Sequence, residues 1–165
     1  MFVGTKEFST FSRRHLQALT VLARTGVPAT VINTEGKRGE RLIRAISKQF
    51  RIIEGPLPYV KYLRLMASHR VVFQLDLSAG HGLVAGDAAL CRMPCVGGNG
   101  IIEQMVFPSL AGYGRGSSEL VERLLSLLAD DEAWRAATEE SQQLALSKIG
   151  FKPIAHELTK ALSAN

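Results

Sequence analysis

Cysteine is almost missing from this chain: Cys91 and Cys95 are the only two in 165 residues. Their spacing is not the two-residue gap of a redox or zinc knuckle, so two reduced thiols packed near a strand are expected. Histidine is sparse as well. His15, His69, His81 and His156 are scattered, and no pair has the i,i+4 spacing of a helical metal site, so no metal is expected. Long apolar runs are missing; none reaches the roughly 18 residues that cross a bilayer. The opening Met1-Phe2-Val3-Gly4 has no charged n-region and no long apolar h-region, so it is not a signal peptide, and the cytoplasm is the expected location. There is no Walker-type phosphate loop, no low-complexity segment and no internal repeat.

What is present fits one globular domain over residues 1–165, with 46% hydrophobic and 21% charged residues. A chain of this size buries roughly 70% of the surface its unfolded form exposes. The formal net charge of +5 suits an anionic ligand such as a nucleotide diphosphate, and is compatible with peripheral contact to an anionic membrane surface. The lysines and arginines are dispersed and no RNA-binding aromatic motif occurs, so nucleic acid is not an expected partner.

Strand and helix patterns alternate. Met1-Phe2-Val3-Gly4 reads as a short buried strand. Ser9 or Ser12 is a candidate cap for a helix to about Thr25, with Leu16, Leu19, Leu22 and Ala23 at helical spacing, stopped by Gly26. Ala29 to Asn33 reads as a strand, and Gly39 to Phe50 as a basic amphipathic helix with Leu42, Ile43 and Ile46 inward. A short strand Arg51-Ile52-Ile53 is broken by Gly55-Pro56, and Pro58 opens a helix through Ala67. Val71 to Leu77 is the strongest strand. The turn Ser78-Ala79-Gly80-His81-Gly82 leads into a helix from Leu83 to Cys91. Pro94 to Val96 reads as a strand before Gly97-Gly98-Asn99-Gly100, and Met105-Val106-Phe107 as a last one. Three helices follow, at Ser118 to Ala129, Glu132 to Lys148 and Phe151 to Leu162. This is an α/β pattern: a Rossmann-like, mostly parallel sheet of five or six strands with helices on both faces. Ligands in such sheets sit beyond the carboxyl ends of the strands, which directs attention to the turns after Gly4, Leu77 and Val96.

The turn at Gly80 and Gly82 lets backbone approach a ligand, and the start of the helix at Leu83 favours a phosphate. Asp87, one turn further on, has the chemistry to accept hydrogen bonds from ribose hydroxyls. A plain strand-to-helix corner accounts for the same glycines.

The run Gly80-His81-Gly82-Leu83-Val84, Asp87-Ala88, Pro94-Cys95-Val96, Gly97-Gly98 and Glu103 resembles the carboxy-terminal, donor-binding domain of glycosyltransferases of the GT-B fold. It is most similar to the large retaining group (group 1, family 4) that includes sucrose and mannosyl transferases. The resemblance extends from Phe2-Val3-Gly4 through Leu57-Pro58 and Met66-Ala67 to Leu124-Leu125, Asp130 and Trp134-Arg135. It implies one half of a two-domain enzyme that transfers a sugar from a nucleotide diphosphate donor. The implied donor-binding residues are Gly4, Lys6, Gly80, His81, Gly82, Leu83, Asp87 and Glu103, with Asp87 in place of the ribose-binding glutamate. No cofactor is implied, the nucleotide sugar being substrate, and an acceptor-binding domain or chain is the implied partner.

The departures bear on catalysis. The group's first glutamate falls on Ala79, its two diphosphate-neutralising cations on Thr5 and near Thr10, and the phenylalanine of its glycine loop on His81. Arg13 and Arg14 lie nearby but read as solvated helix surface. The chain starts at the first strand of the second half, which leaves three alternatives: a fragment, a half completed by another chain, or a degenerate binding module without catalysis. A receiver-like signalling domain with Asp76 as phosphoacceptor fits less well, because Gly4-Thr5-Lys6-Glu7 lacks the acidic pair that holds magnesium.

Overall fold

The computed structural model describes residues 1–163 apart from Thr5 and Ser9. Its five strands are β1 (Phe2–Val3), β2 (Thr30–Asn33), β3 (Arg51–Glu54), β4 (Val72–Phe73) and β5 (Cys95–Val96). They form one sheet in the order β3-β2-β1-β4-β5, with every pairing parallel. The four inner and far strands are buried along their whole length, as a parallel sheet covered by helices on both faces requires. The edge strand β3 instead exposes Arg51 and Glu54, charges that keep an open edge from pairing with other chains.

The helices are α1 (His15–Thr25), α2 (Gly36–Ile46), α3 (Tyr59–Ala67), α4 (Leu83–Leu90), α5 (Ile101–Val106), α6 (Ser117–Ala129), α7 (Asp131–Leu144) and α8 (Phe151–Ser163). A π-helical turn, Ala145–Ile149, joins the last two. α1 packs with α2 and α6, whereas α4 packs with α3 and α5. The core between them and the sheet holds Phe2, Leu19, Leu22, Ile43, Met66, Phe73 and Leu124. Burying each such side chain is worth about 1.5–3 kcal/mol. α7 starts on an N-cap: Asp130 accepts from the backbone N–H groups of Glu132 and Ala133. The Trp134 indole donates to the Arg70 carbonyl (2.7 Å), tying α7 to the segment entering β4. No helix among the described residues is long and apolar enough to cross a membrane.

Five readings change. The strand expected from Val71 to Leu77 is paired only over Val72–Phe73, and Leu77 is exposed. Met105-Val106-Phe107 is not a strand; it ends α5 and its cap. The connection from β5 is too short for the crossover of a dozen or more residues that a further parallel strand needs. Ser12 does not cap α1. It sits in a 3-10 turn, Phe11–Arg13, and its carbonyl accepts from the Leu77 N–H (2.7 Å). Arg14 then adopts φ +46, which breaks the chain before α1 starts; Ser9, the other candidate cap, lies outside the described residues. α2 begins at Gly36 and ends at Ile46, about a turn earlier than expected at each end, because Asn33 gathers the loop by donating to the Gly36 carbonyl (2.8 Å). Leu16 is exposed, so α1 buries Leu19 and Leu22 with His15 and Ala18 instead.

Candidate functional site

Strand order determines where a ligand can sit. The chain lays β2 and β3 to one side of β1, then crosses to the other side for β4 and β5. The connections leaving β1 and β4 therefore part in opposite directions, and a crevice opens at their carboxyl ends. A cavity of about 470 Å³ fills it, a size that suits a small-molecule ligand.

All eight residues expected at a donor site line this one cavity: Gly4, Lys6, Gly80, His81, Gly82, Leu83, Asp87 and Glu103. They come from three connections. Gly4 ends β1, its N–H bonded to the Phe73 carbonyl (2.9 Å), and a Cβ there would press on Val84 at 2.7 Å. Lys6 is exposed and places its ammonium over the Tyr62 ring, 5.9 Å from the centroid. His81 and Leu83 are exposed in and after the glycine turn. Gly80 has no heavy atom near its missing Cβ. α4 follows Gly82, with no side chain capping it, so its first N–H groups have no side-chain partner where Gly82, Leu83 and Val84 line the cavity, and a helix start of this kind favours an anion. Ala79 is exposed and does not line the cavity. Thr5 lies outside the described residues. Thr10 donates its hydroxyl to Glu7 (3.0 Å) rather than reaching the cleft.

Gly82 has φ +77, the left-handed region in which a side chain is strained. Its missing Cβ points at the Glu103 carboxyl, as does that of Gly100. Both glycines thus make room for a protein group and not for a ligand. Glu103 is 2% exposed. Its Oε1 accepts from the Gln74 amide (2.8 Å), and its Oε2 has no partner in hydrogen-bond geometry. Burial raises the carboxyl above the usual glutamate range and Asp76 adds to the rise; its own backbone N–H, Gln74 and Arg13 oppose it.

Arg13, expected on solvated surface, is half-buried in the 3-10 turn and enters the cleft. It pairs with Asp76, three residues past β4, and lies 3.4 Å from the Ser78 hydroxyl and 3.7 Å from Glu7. The Asp76 hydrogen bond raises its pKa, partly opposed by desolvation. Asp76 is itself 6% exposed and also accepts from the Ser78 N–H (2.8 Å). That places the candidate phosphoacceptor in an ion pair with arginine.

The far wall comes from α3, which the sequence reading left out of the site. Tyr59 donates its hydroxyl to Asp87 Oδ1 (2.6 Å) and stacks on Tyr62 with centroids 6.3 Å apart. The bond to Asp87 raises the Tyr59 phenol; burial first, then Asp87, raises that of Tyr62. Tyr59 and Tyr62 are three residues apart and so share a helix face. That spacing, opposite an acid on the next helix, was the available sign. Nothing in the linear sequence ties Arg13 to Asp76, 63 residues away.

No protein-family model matches the chain, and no curated protein matches it closely enough to count as a relative. Solved structures do match in fold. HepE from Anabaena, solved in complex with UDP, superposes with TM-score 0.73 at 18% identity over 99% of this chain and 49% of that one. WaaG, a glycosyltransferase involved in lipopolysaccharide biosynthesis, gives 0.64 at 16% identity over 91% and 43%. AviGT4, a glycosyltransferase involved in avilamycin A biosynthesis, gives 0.59 at 16% identity over 100% and 51%. The fold is therefore that of a glycosyltransferase-like Rossmann domain, and the chain spans about half the length of these structures.

Proposed function

We propose that this chain is the nucleotide-sugar-binding half of a retaining, family-4-like glycosyltransferase of the GT-B fold, transferring a sugar from a nucleotide diphosphate donor when joined to an acceptor domain or chain. The observation that carries the reading is the cavity between β1 and β4, which collects every residue the resemblance implied. The fold likeness to a protein solved with UDP supports it. In this reading Asp87, held at one oxygen by Tyr59, receives the ribose hydroxyls on the other. The uncapped start of α4 meets the diphosphate, with Lys6 supplying the one cation that is not already paired, while Arg13 borders the site in its pair with Asp76. Such fixed charges stabilise a leaving diphosphate as the bond from the sugar carbon to its oxygen breaks.

A second reading, a binding module that performs no transfer, is favoured by one observation: Arg13 is already committed to Asp76, and Ala79 offers nothing to a sugar hydroxyl. Titration with UDP followed by amide chemical shifts tests the site. Shifts are expected at residues 78–88 and at Lys6 and Arg13, with affinity about millimolar, abolished in Asp87→Ala. Shifts elsewhere, or an unchanged Asp87→Ala, refute the donor site. Product formed from a nucleotide sugar by this chain alone refutes the need for an acceptor half.

A further inference from the structure

Among the described residues, Glu103 is the one buried acid of the cleft without a salt bridge, Arg13 being paired with Asp76 and Glu7. Its carboxyl lies beneath the glycine turn, between Gly82 and Gly100, and lines the cavity. An ionised carboxylate in such a place, supported by the Gln74 amide and its own backbone N–H but by no salt bridge, is costly. A neutral acid is not, and burial moves the group toward that form. The position of the proton then follows from the partners. The Gln74 amide donates to Oε1, so Oε1 is the accepting carbonyl oxygen and the proton belongs on Oε2. That leaves a buried O–H donor with no acceptor, next to Gly82 at the N-cap of α4.

We propose that Glu103 binds ligand as the neutral acid, donating its Oε2–H to a phosphoryl oxygen seated at the start of α4. The inference rests on the donor-site reading and assigns that site a proton: the cleft takes its diphosphate together with a protonated Glu103 and loses affinity when that proton leaves. Ionisation replaces a donor with a negative charge beside the phosphate, so the effect runs one way, toward weaker binding as pH rises. Other charged and titratable groups face the carboxyl. Asp76 in the segment beyond β4 and Cys95 on β5 stand close by, the Cys95 thiol held protonated by burial. Arg13 from the 3-10 turn and His81 from the glycine turn line the same cavity.

The test compares the whole chain with Glu103→Gln, whose amide presents an oxygen to Gln74 and an N–H to the ligand and so mimics the neutral acid at every pH. UDP affinity is measured by calorimetry from pH 5 to 9. UDP itself titrates in that range, and the ratio of the two affinities removes its contribution. The two proteins are expected to bind alike at the acid end, with wild type falling about tenfold behind the variant at the alkaline end, the worth of one charge-assisted hydrogen bond. Affinities that run parallel across the range overturn the proposal and leave the donor site standing. Absence of UDP binding in both proteins at every pH overturns both. A second measurement needs no variant: the midpoint of the Glu103 carboxyl carbon-13 shift in wild type is expected to rise on saturation with UDP. A midpoint that stays or falls overturns the proposal.

Discussion

Replacing Gly82 with alanine separates two reasons for a glycine at this turn. The backbone at Gly82 has φ +77, and holding a non-glycine residue in the left-handed region costs roughly 1–2 kcal/mol. The new Cβ would also overlap Glu103 Oε2. Shifting a buried carboxyl already bonded to Gln74 adds about 1–3 kcal/mol, the usual range for overpacking. Gly82→Ala is therefore expected to cost roughly 2–5 kcal/mol. Gly80 is the control: its missing Cβ meets no heavy atom within 4 Å, so Gly80→Ala is expected to change stability by no more than about 1 kcal/mol. Urea denaturation followed by circular dichroism measures both. The decisive comparison is Gly82→Ala in a Glu103→Ala background, where the overlap is gone and only the backbone cost of about 1–2 kcal/mol remains. If the cost of Gly82→Ala is the same with and without the Glu103 side chain, or if Gly80→Ala costs as much, the steric account is wrong. The pair also bears on function, because a loss of binding in Gly82→Ala reports a disturbed Glu103, whereas one in Gly80→Ala reports the ligand.

Burial of His15 lowers its pKa to about 4, and the ring packs edge-on to Phe8 with centroids 4.6 Å apart. The unfolded chain then takes up the proton first, so the stability this histidine contributes is present above pH 6.5 and is lost as pH falls toward 4. The loss amounts to about 3 kcal/mol; urea midpoints at pH 7, 5.5 and 4.5 check it, the dependence being expected to flatten in His15→Gln. Tyr59→Phe removes the hydroxyl that holds Asp87 from an exposed position, so stability is expected to stay within about 0.5 kcal/mol of wild type. UDP affinity is expected to fall roughly three- to tenfold, and an unchanged Kd would separate Asp87 orientation from binding.

The sheet was legible because its strands are buried on both faces: Val31-Ile32 and Val72-Phe73 carry no polar alternation to confuse with a helix surface. Met105-Val106-Phe107 misled for the same reason, since three apolar residues fit a buried strand and a buried helical end equally. Only the short connection from β5 separates them. The glycines of the site were legible as positions but not as causes. Gly82 and Gly100 clear space for Glu103, and Gly97, at φ +86, brings the end of β5 against the Gln74 carbonyl. Arg13 was misread because a helical period was extended over a segment that Arg14 breaks by turning left-handed. Its partner Asp76 lies in the segment beyond β4, where no local pattern reaches.

Charge in the cleft makes the last prediction. Lys6 and Arg13 face Glu7, Asp76, Asp87 and Glu103 across the same cavity, and Arg13 is already neutralised by Asp76. A diphosphate entering this site meets the start of α4, worth roughly half a positive charge, and one uncommitted ammonium on an exposed lysine. Screening at physiological salt weakens that ammonium further, since interactions between exposed charges fade over about 8 Å. The phosphates therefore add little, and most of the affinity falls to the ribose at Asp87 and to the apolar and aromatic wall of Leu57, Tyr59 and Tyr62. At pH 8 UDP is expected to bind no more than about tenfold tighter than uridine, a difference of about 1.4 kcal/mol. The gap is expected to narrow on moving from low salt to about 0.15 M. Calorimetric titration of uridine, UMP and UDP against the same preparation gives the comparison directly. A gain of a hundredfold or more from uridine to UDP in the isolated chain would mean that Arg13 leaves Asp76 for the phosphates, and the account of a neutralised arginine would fail.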